Sequence, residues 1–274
     1  MSRFRQQRSR QTPDRAAGVG DTPVVSAPTP PANWYDWHAS YDRDSPLRER
    51  LEVVRTRVRE ALDRQEAGPI RIVSVCAGQG RDLVPVVAAH PRRRDVVARL
   101  VELDPRNVEI ARTAVASAGL SGVEVVIADA GVTAAYDGAV PAGVVLVCGV
   151  FGNVSDEDIM RTIDSLPSLC AAGATVIWTR GRTAPDLTPS IRRWFERRGF
   201  EELSFDGEPG SFGVGAHRLR TRPEPFDSGL TLFTFLDFDE LRARPRPTSG
   251  ADAYAVSYRE SVTAPSEADE TSVA

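Results

Sequence analysis

The sequence predicts an α/β protein on a doubly wound, mostly parallel seven-stranded sheet with helices on both faces. Three observations predict it. Short β-branched apolar runs alternate with segments whose apolar residues recur every three or four positions. The first run passes straight into a glycine loop and then a helix. The second ends in an acid, Glu102, which lies 22 residues past the last glycine of that loop.

A chain of 274 residues, 41% of them hydrophobic, can bury one good core. A formal net charge of -4 argues against a surface built throughout for phosphate backbones. All 34 Lys and Arg residues are Arg, which reads as a coding bias and not as a need for guanidinium. The cysteines, Cys76, Cys148 and Cys170, are odd in number and lie in apolar settings, so neither a disulfide framework nor a metal site is expected. There is no signal-peptide core and no run long enough for a membrane span, so the expected location is the cytoplasm.

Residues 1–32 are rich in Arg, Gln, Ser, Thr and Pro and end in Ala27-Pro28-Thr29-Pro30-Pro31. Such a segment cannot offset its ordering entropy, and a disordered tail is expected. Its arginines would suit nucleic acid or an acidic partner, but a solvated tail accounts for them. Order is expected over 33–242, followed by a second disordered tail, acidic and proline-rich, at 243–274. The aromatic cluster Trp34, Tyr35, Trp37 and Tyr41 either packs the next helix onto the sheet or forms a lid, so Tyr35 and Tyr41 are candidate substrate contacts. His38, between Asp36 and Asp42, reads as a surface histidine before a base. Ser45-Pro46 gives an N-cap with proline at the first helical position, and Leu47, Leu51, Val54, Val58 and Leu62 mark one helical face. Residues 33–66 thus form an aromatic and helical lid to the domain.

Arg71-Ile72-Val73-Ser74-Val75 is a buried strand that stops at Cys76-Ala77-Gly78-Gln79-Gly80-Arg81-Asp82. The glycines let a ligand approach the backbone, and the helix from Leu83 to Ala88 offers unpaired N–H donors at its start. Glu102, at the end of the second strand, can accept both hydroxyls of a ribose. A helix from Pro105 to Ala118 follows, then a third strand ending in Asp129-Ala130. The fourth strand, Val144 to Val147, ends at Cys148-Gly149. Ser155 and Asp158 open the next helix as a capping box. The fifth strand covers 175–180, a helix 187–198, and the sixth strand 200–205. Leu230 to Leu236 is expected as the seventh, with 209–219 as an insertion over the acceptor side, which makes His217 a candidate base or donor to a substrate.

From Ser74 to Gly80 the chain resembles the class I S-adenosyl-L-methionine-dependent methyltransferases, whose glycine motif reads acid-x-Gly-x-Gly-x-Gly. Gly78 and Gly80 match two of the three glycines; Cys76 stands at the first, and Ser74 at the acid. The resemblance implies a Rossmann-like methyltransferase fold with S-adenosyl-L-methionine as cofactor. It implies cofactor contacts from Cys76, Ala77, Gly78, Gln79, Gly80, Asp82, Glu102, Leu103, Asp129, Ala130, Cys148 and Gly149. Asp129 would take the adenine amine, and Asp82 or loop carbonyls the methionine ammonium. The acceptor would lie near Phe151 and Asn153, and the absence of an Asn-Pro-Pro-Tyr or Asp-Pro-Pro-Tyr run favours a small molecule over nucleic acid.

Two other functions compete with this one. A nicotinamide-dependent oxidoreductase needs a third glycine where the sequence has Leu83. A non-catalytic cofactor-binding or partner-binding protein of the same fold is kept open by Ser74 and Cys76.

Overall fold

A computed structural model describes residues 38, 41, 45–237 and 240. The two expected tails, and Trp34, Tyr35 and Trp37 of the aromatic cluster, lie outside the described residues. The elements in chain order are α1 (Pro46–Asp63), β1 (Ile70–Val75), α2 (Val84–Ala89), β2 (Val96–Glu102), α3 (Pro105–Ser117), β3 (Val123–Ile127), a 3-10 turn (Thr133–Tyr136), β4 (Ala142–Val147), α4 (Asp156–Leu169), β5 (Cys170–Gly181), α5 (Thr188–Arg197), β6 (Phe200–Asp206) and β7 (Phe212–Leu219).

The strands form one seven-stranded sheet in the order β3-β2-β1-β4-β5-β7-β6. All neighbours are parallel except at β7, which runs antiparallel to β5 and to β6. The order reverses between β1 and β4. There the carboxyl ends of two strands whose connections leave in opposite directions open a crevice, the place where such sheets hold ligands.

Side-chain alternation separates two cores. Ile70 and Ile72 of β1, Leu146 of β4 and Ile177 of β5 face α1, α2 and α3. Val73, Val75, Val145, Val147, Val176 and Trp178 face α4 and α5 on the other side. Near-continuous apolar strands are what a sheet covered on both faces requires.

Ser45 caps α1 by accepting from the Arg48 N–H at 3.3 Å. The helix buries Leu47, Val54, Val58 and Leu62 against the sheet, and Arg57 clamps Asp206 of β6 with two hydrogen bonds of 2.8 and 2.7 Å. The part of the expected lid that is helical is therefore a layer of the core.

The seventh strand differs from the expectation. It is 212–219, not 230–236. Residues 213, 215 and 217 share the face toward α5, where a side chain at Gly215 would come within 2.4 Å of Trp178 and one at Gly213 within 3.0 Å of Phe205. Glycines at alternate positions seat two aromatic rings, so a sequence that looks like a loop is a strand buried on both faces. His217, on that same face, lies in the core and not over an acceptor. It stacks on Phe195 at 4.4 Å between centroids and accepts from Trp178 Nε1 at 3.1 Å.

Residues 230–236 instead run as a strap across the loops that follow β3 and β4, with the isolated bridges Val132–Thr231 and Val154–Phe235 in place of a ladder. The strap is fixed from both sides. The Leu232 N–H donates to Gly131 O at 2.7 Å, the Leu236 N–H to Asn153 O at 2.9 Å, and the Thr234 N–H to Asp158 Oδ2 at 3.1 Å. Ser155 caps α4 through the Asp158 N–H at 3.0 Å, but the Asp158 side chain turns to the strap and to Arg161 instead of closing a capping box.

Burial holds the His217 imidazole at a pKa of about 4, below its ordinary 6.5, against an opposing pull from Glu202. Between these values the unfolded chain binds a proton that the folded protein refuses. Stability is therefore free of this penalty above about pH 6.5 and falls as the pH drops toward 4, by about 3 kcal/mol in all. His217→Gln, which keeps an acceptor for Trp178, should flatten this part of the pH dependence in urea titrations at pH 4.5 and 7; an unchanged slope would contradict a buried neutral imidazole.

Candidate functional site

The glycine loop leaves β1 through Cys76, whose φ of 53° is the one positive value at a non-glycine residue among those described. A Cβ costs about 1–2 kcal/mol in this region, which is the physical reason a glycine suits the position. Gly78 (φ 54°) and Gly80 (φ 69°) complete the turn. A side chain at Gly78 would come within 2.6 Å of the His38 ring, and one at Gly80 within 2.9 Å of Val84 and 3.1 Å of Leu100. The loop is thus a cradle from which side chains are excluded.

Glu102 fastens that cradle to the second strand. Its Oε2 accepts from the Gly78 N–H at 2.8 Å and its Oε1 from the Asp104 N–H at 2.9 Å. Burial raises the carboxyl pKa, while these amides and the Asn107 side chain pull it back. Each oxygen retains acceptor capacity, because a carboxylate has about four lone-pair sites. Asp129 closes its own turn, accepting from the Gly131 N–H at 2.8 Å through Oδ1. Buried Ala130 beside it receives the Tyr136 hydroxyl on its carbonyl at 2.6 Å.

The two carboxylates converge. The Cys76 thiol is pushed well above the usual range, first by burial and then by the charges of Glu102 and Asp129 together. The tips of β2 and β3 therefore face one place, at the end of β1.

The other side of the loop gathers a second set. Arg55 of α1 donates twice to the Arg81 carbonyl, at 2.9 and 2.8 Å. Arg50, buried in the apolar stripe of α1, donates to the Tyr41 hydroxyl at 2.7 Å. Asp82 lies between this helix and the end of β4. Burial raises its pKa to about 6 against the pull of its own amide, that of Leu83, Arg55 and Arg50. Its charge in turn adds to the rise at the Cys148 thiol.

The structure brings Cys76, Ala77, Gly78, Gly80, Asp82, Glu102, Leu103, Asp129, Ala130, Cys148 and Gly149 to the carboxyl ends of β1 through β4. Gln79 belongs to the same loop, but its side chain turns to Asn107 (3.2 Å) and Arg81 (2.9 Å). The substrate-side candidates are less well placed. Phe151 is fully buried against Trp178, at 5.9 Å between centroids, because the chain turns inward after β4. Asn153 is buried too, donating from Nδ2 to Gly149 O at 2.7 Å to lock that turn. With His217 in the core, Tyr41 alone of the described candidates stays at the loop's edge, beside His38 and under Arg81. The sequence reading missed Arg50 and Arg55. Arg50 left a signal, a charge inside the stripe formed by Leu47, Leu51 and Val54.

A methyltransferase family, described as "Putative methyltransferase", matches residues 44–196. The chain belongs to this family. Solved structures share the fold at low identity. An O-methyltransferase family protein from Burkholderia thailandensis is 17% identical with a TM-score of 0.51, over 65% of this chain and 57% of that one. Magnesium protoporphyrin IX methyltransferase from Synechocystis, with bound SAM, is 13% identical with a TM-score of 0.52, over 67% of this chain and 89% of that one. Among curated protein sequences none matches. The architecture is thus the Rossmann-like methyltransferase fold. Leu83, fully buried, fills the core where a dinucleotide fingerprint needs glycine. Among the described residues no helix is long and apolar enough to cross a membrane, and no group of three or more His, Cys, Asp and Glu could hold a metal ion.

The strain at Cys76 gives a direct test of the turn. Cys76→Gly should stay within about 1 kcal/mol of the parent, since relief of a left-handed Cβ offsets the entropy of glycine. Cys76→Val, β-branched, should lose about 2 kcal/mol or more, read as the midpoint of chemical denaturation. Equal stability of the two variants would contradict the positive φ.

Proposed function

We propose that this methyltransferase-family chain uses S-adenosyl-L-methionine as cofactor and transfers a methyl group to a small-molecule acceptor. The observation that carries the reading is the convergence of Glu102 and Asp129 on the Cys76 end of a loop that excludes side chains. The residues present fit the group. Glu102 has acceptor sites left for the two ribose hydroxyls, Asp129 keeps Oδ2 for an exocyclic amine, and Ala130 leaves room for a flat ring beside it. Gly78 and Gly80 allow close backbone approach.

When bound, the cofactor supplies an electron-poor methyl on sulfur that an acceptor nucleophile displaces. The protein's part is to orient that displacement and keep water away. Proximity of this kind accounts for large rate factors without a dedicated base; of the two histidines considered, His217 lies in the core and the His38 ring lies against Gly78 of the loop. A net charge of -4 suits a small acceptor better than a nucleic acid.

Calorimetry with S-adenosylhomocysteine tests the reading. The parent should bind, and Glu102→Ala should weaken binding at least tenfold, since hydrogen bonds to a charged partner are worth about 1.5–3 kcal/mol. Normal affinity in Glu102→Ala would remove the ribose assignment. Failure to transfer labelled methyl to any acceptor in a cell extract would count against catalysis.

A further inference from the structure

Among the described residues β3 is unlike the other parallel strands. β1, β2, β4 and β5 lead into the helices α2, α3, α4 and α5, which fix the turns between them, whereas β3 leads only into the 3-10 turn Thr133–Tyr136. The turn that carries Asp129 therefore needs another support. Its aim depends on that support, because Asp129 Oδ1 is tied to the Gly131 N–H at 2.8 Å and the direction of Oδ2 follows from where Gly131 lies.

The strap at 230–236 supplies it. Thr133, fully buried, donates its N–H to Leu230 O at 2.9 Å and its hydroxyl to the same oxygen at 3.1 Å, while its Oγ1 accepts the Leu230 N–H at 2.9 Å. The Leu232 N–H reaches Gly131 O at 2.7 Å, and a Cβ on Gly131 would come within 2.4 Å of Phe233 O. The strap is anchored in turn to the α4 side of the molecule. Leu232 and Phe233 enter the core there, the Thr162 hydroxyl of α4 donates to Leu232 O at 3.0 Å, and Asp158 holds the Thr234 N–H. The far end meets the turn after β4, where Asn153 O accepts from Leu236. In the sheet β2 and β1 stand between β3 and β4. An extended chain from Thr231 to Phe235 covers about 13 Å, close to the three strand spacings, about 14 Å, that separate the two bridges. The Asp129 turn is thus tied to α4 and to the turn after β4 across the two strands between.

We infer that the strap aims the Asp129 carboxylate, with Thr133 as a positioning residue for recognition of the cofactor's base. Residues 230–236 fall outside the 44–196 that the family matches, so this support is additional to what that match covers. The inference rests on the nucleoside reading above and adds to it what makes Asp129 selective. A hydrogen bond weakens steeply with misdirection, and a site built for an exocyclic amine rejects a base without one only while its acceptor stays aimed.

The test is calorimetry on the full chain with S-adenosylhomocysteine and with S-inosylhomocysteine, whose base carries an oxygen in place of the exocyclic amine. The parent should bind the first at least tenfold more tightly. Thr133→Val, which keeps the shape and removes the hydroxyl, should cut that preference at least fivefold and leave S-inosylhomocysteine within twofold of the parent, which also shows that the variant is folded. Thr133→Ser, which keeps the hydroxyl, should hold the preference within twofold. Where Thr133→Val does not fold, Thr162→Val, which meets the strap at Leu232 and not the turn, carries the same comparison with a fall of at least threefold. An unchanged preference, or an equal loss for both nucleosides, overturns the positioning role while the nucleoside site stands. A parent that binds S-adenosylhomocysteine without preferring it overturns the base assignment of Asp129 and this inference with it; a parent that binds neither overturns the cofactor reading as well.

Discussion

The Glu102 carboxylate, held between the Gly78 and Asp104 amides, is the contact on which the rest of the site depends. A loop with three residues at positive φ keeps one link to the β2 backbone, the Ala77 N–H on Val101 O at 2.9 Å, and glycines lose much entropy on ordering. One half-buried acid at the end of the neighbouring strand adds a second anchor at Gly78, beyond that backbone link. Burial of that acid is unfavourable by itself, and the two amides with Asn107 offset it. The same group that could bind a ligand therefore also shapes the ligand's seat, so removing it disturbs both.

How much of this was legible depends on whether the cause is local. The α1 face was readable because Leu47, Leu51, Val54, Val58 and Leu62 carry their own period. So were β1 through β4, as apolar runs buried on both faces, and Glu102 and Asp129, because an acid that ends such a run stands at a strand tip whatever the rest of the fold does. β7 was not. Gly213 and Gly215 read as loop residues until Phe205 and Trp178 from other strands are set against them. The strap at 230–236 has the letters of a strand, but its partners are a turn, a helix cap and single bridges, none of which its own pattern encodes. The inward turn of Phe151 and Asn153 was hidden for a related reason. Which way a side chain points after a strand end is set by the turn, and here the Asn153 amide closes that turn on Gly149.

The helix α1 illustrates how charge and packing constrain each other. Its apolar stripe covers the sheet, yet Arg50 sits inside that stripe and Arg55 at its border. A guanidinium in such a place is tolerated only if its hydrogen bonds are met. The Arg81 carbonyl and the Tyr41 hydroxyl meet some of them, and both belong to the loop or to the turn over it. The layer that completes the core thus depends on the loop being formed, and the loop depends on the layer. Because Asp82 lies in the field of both arginines, an acid can persist there in a buried setting, where an unpaired carboxylate alone would be excluded. The helix α1 is consequently both a layer of the core and the source of fixed positive charge at the edge of the glycine loop.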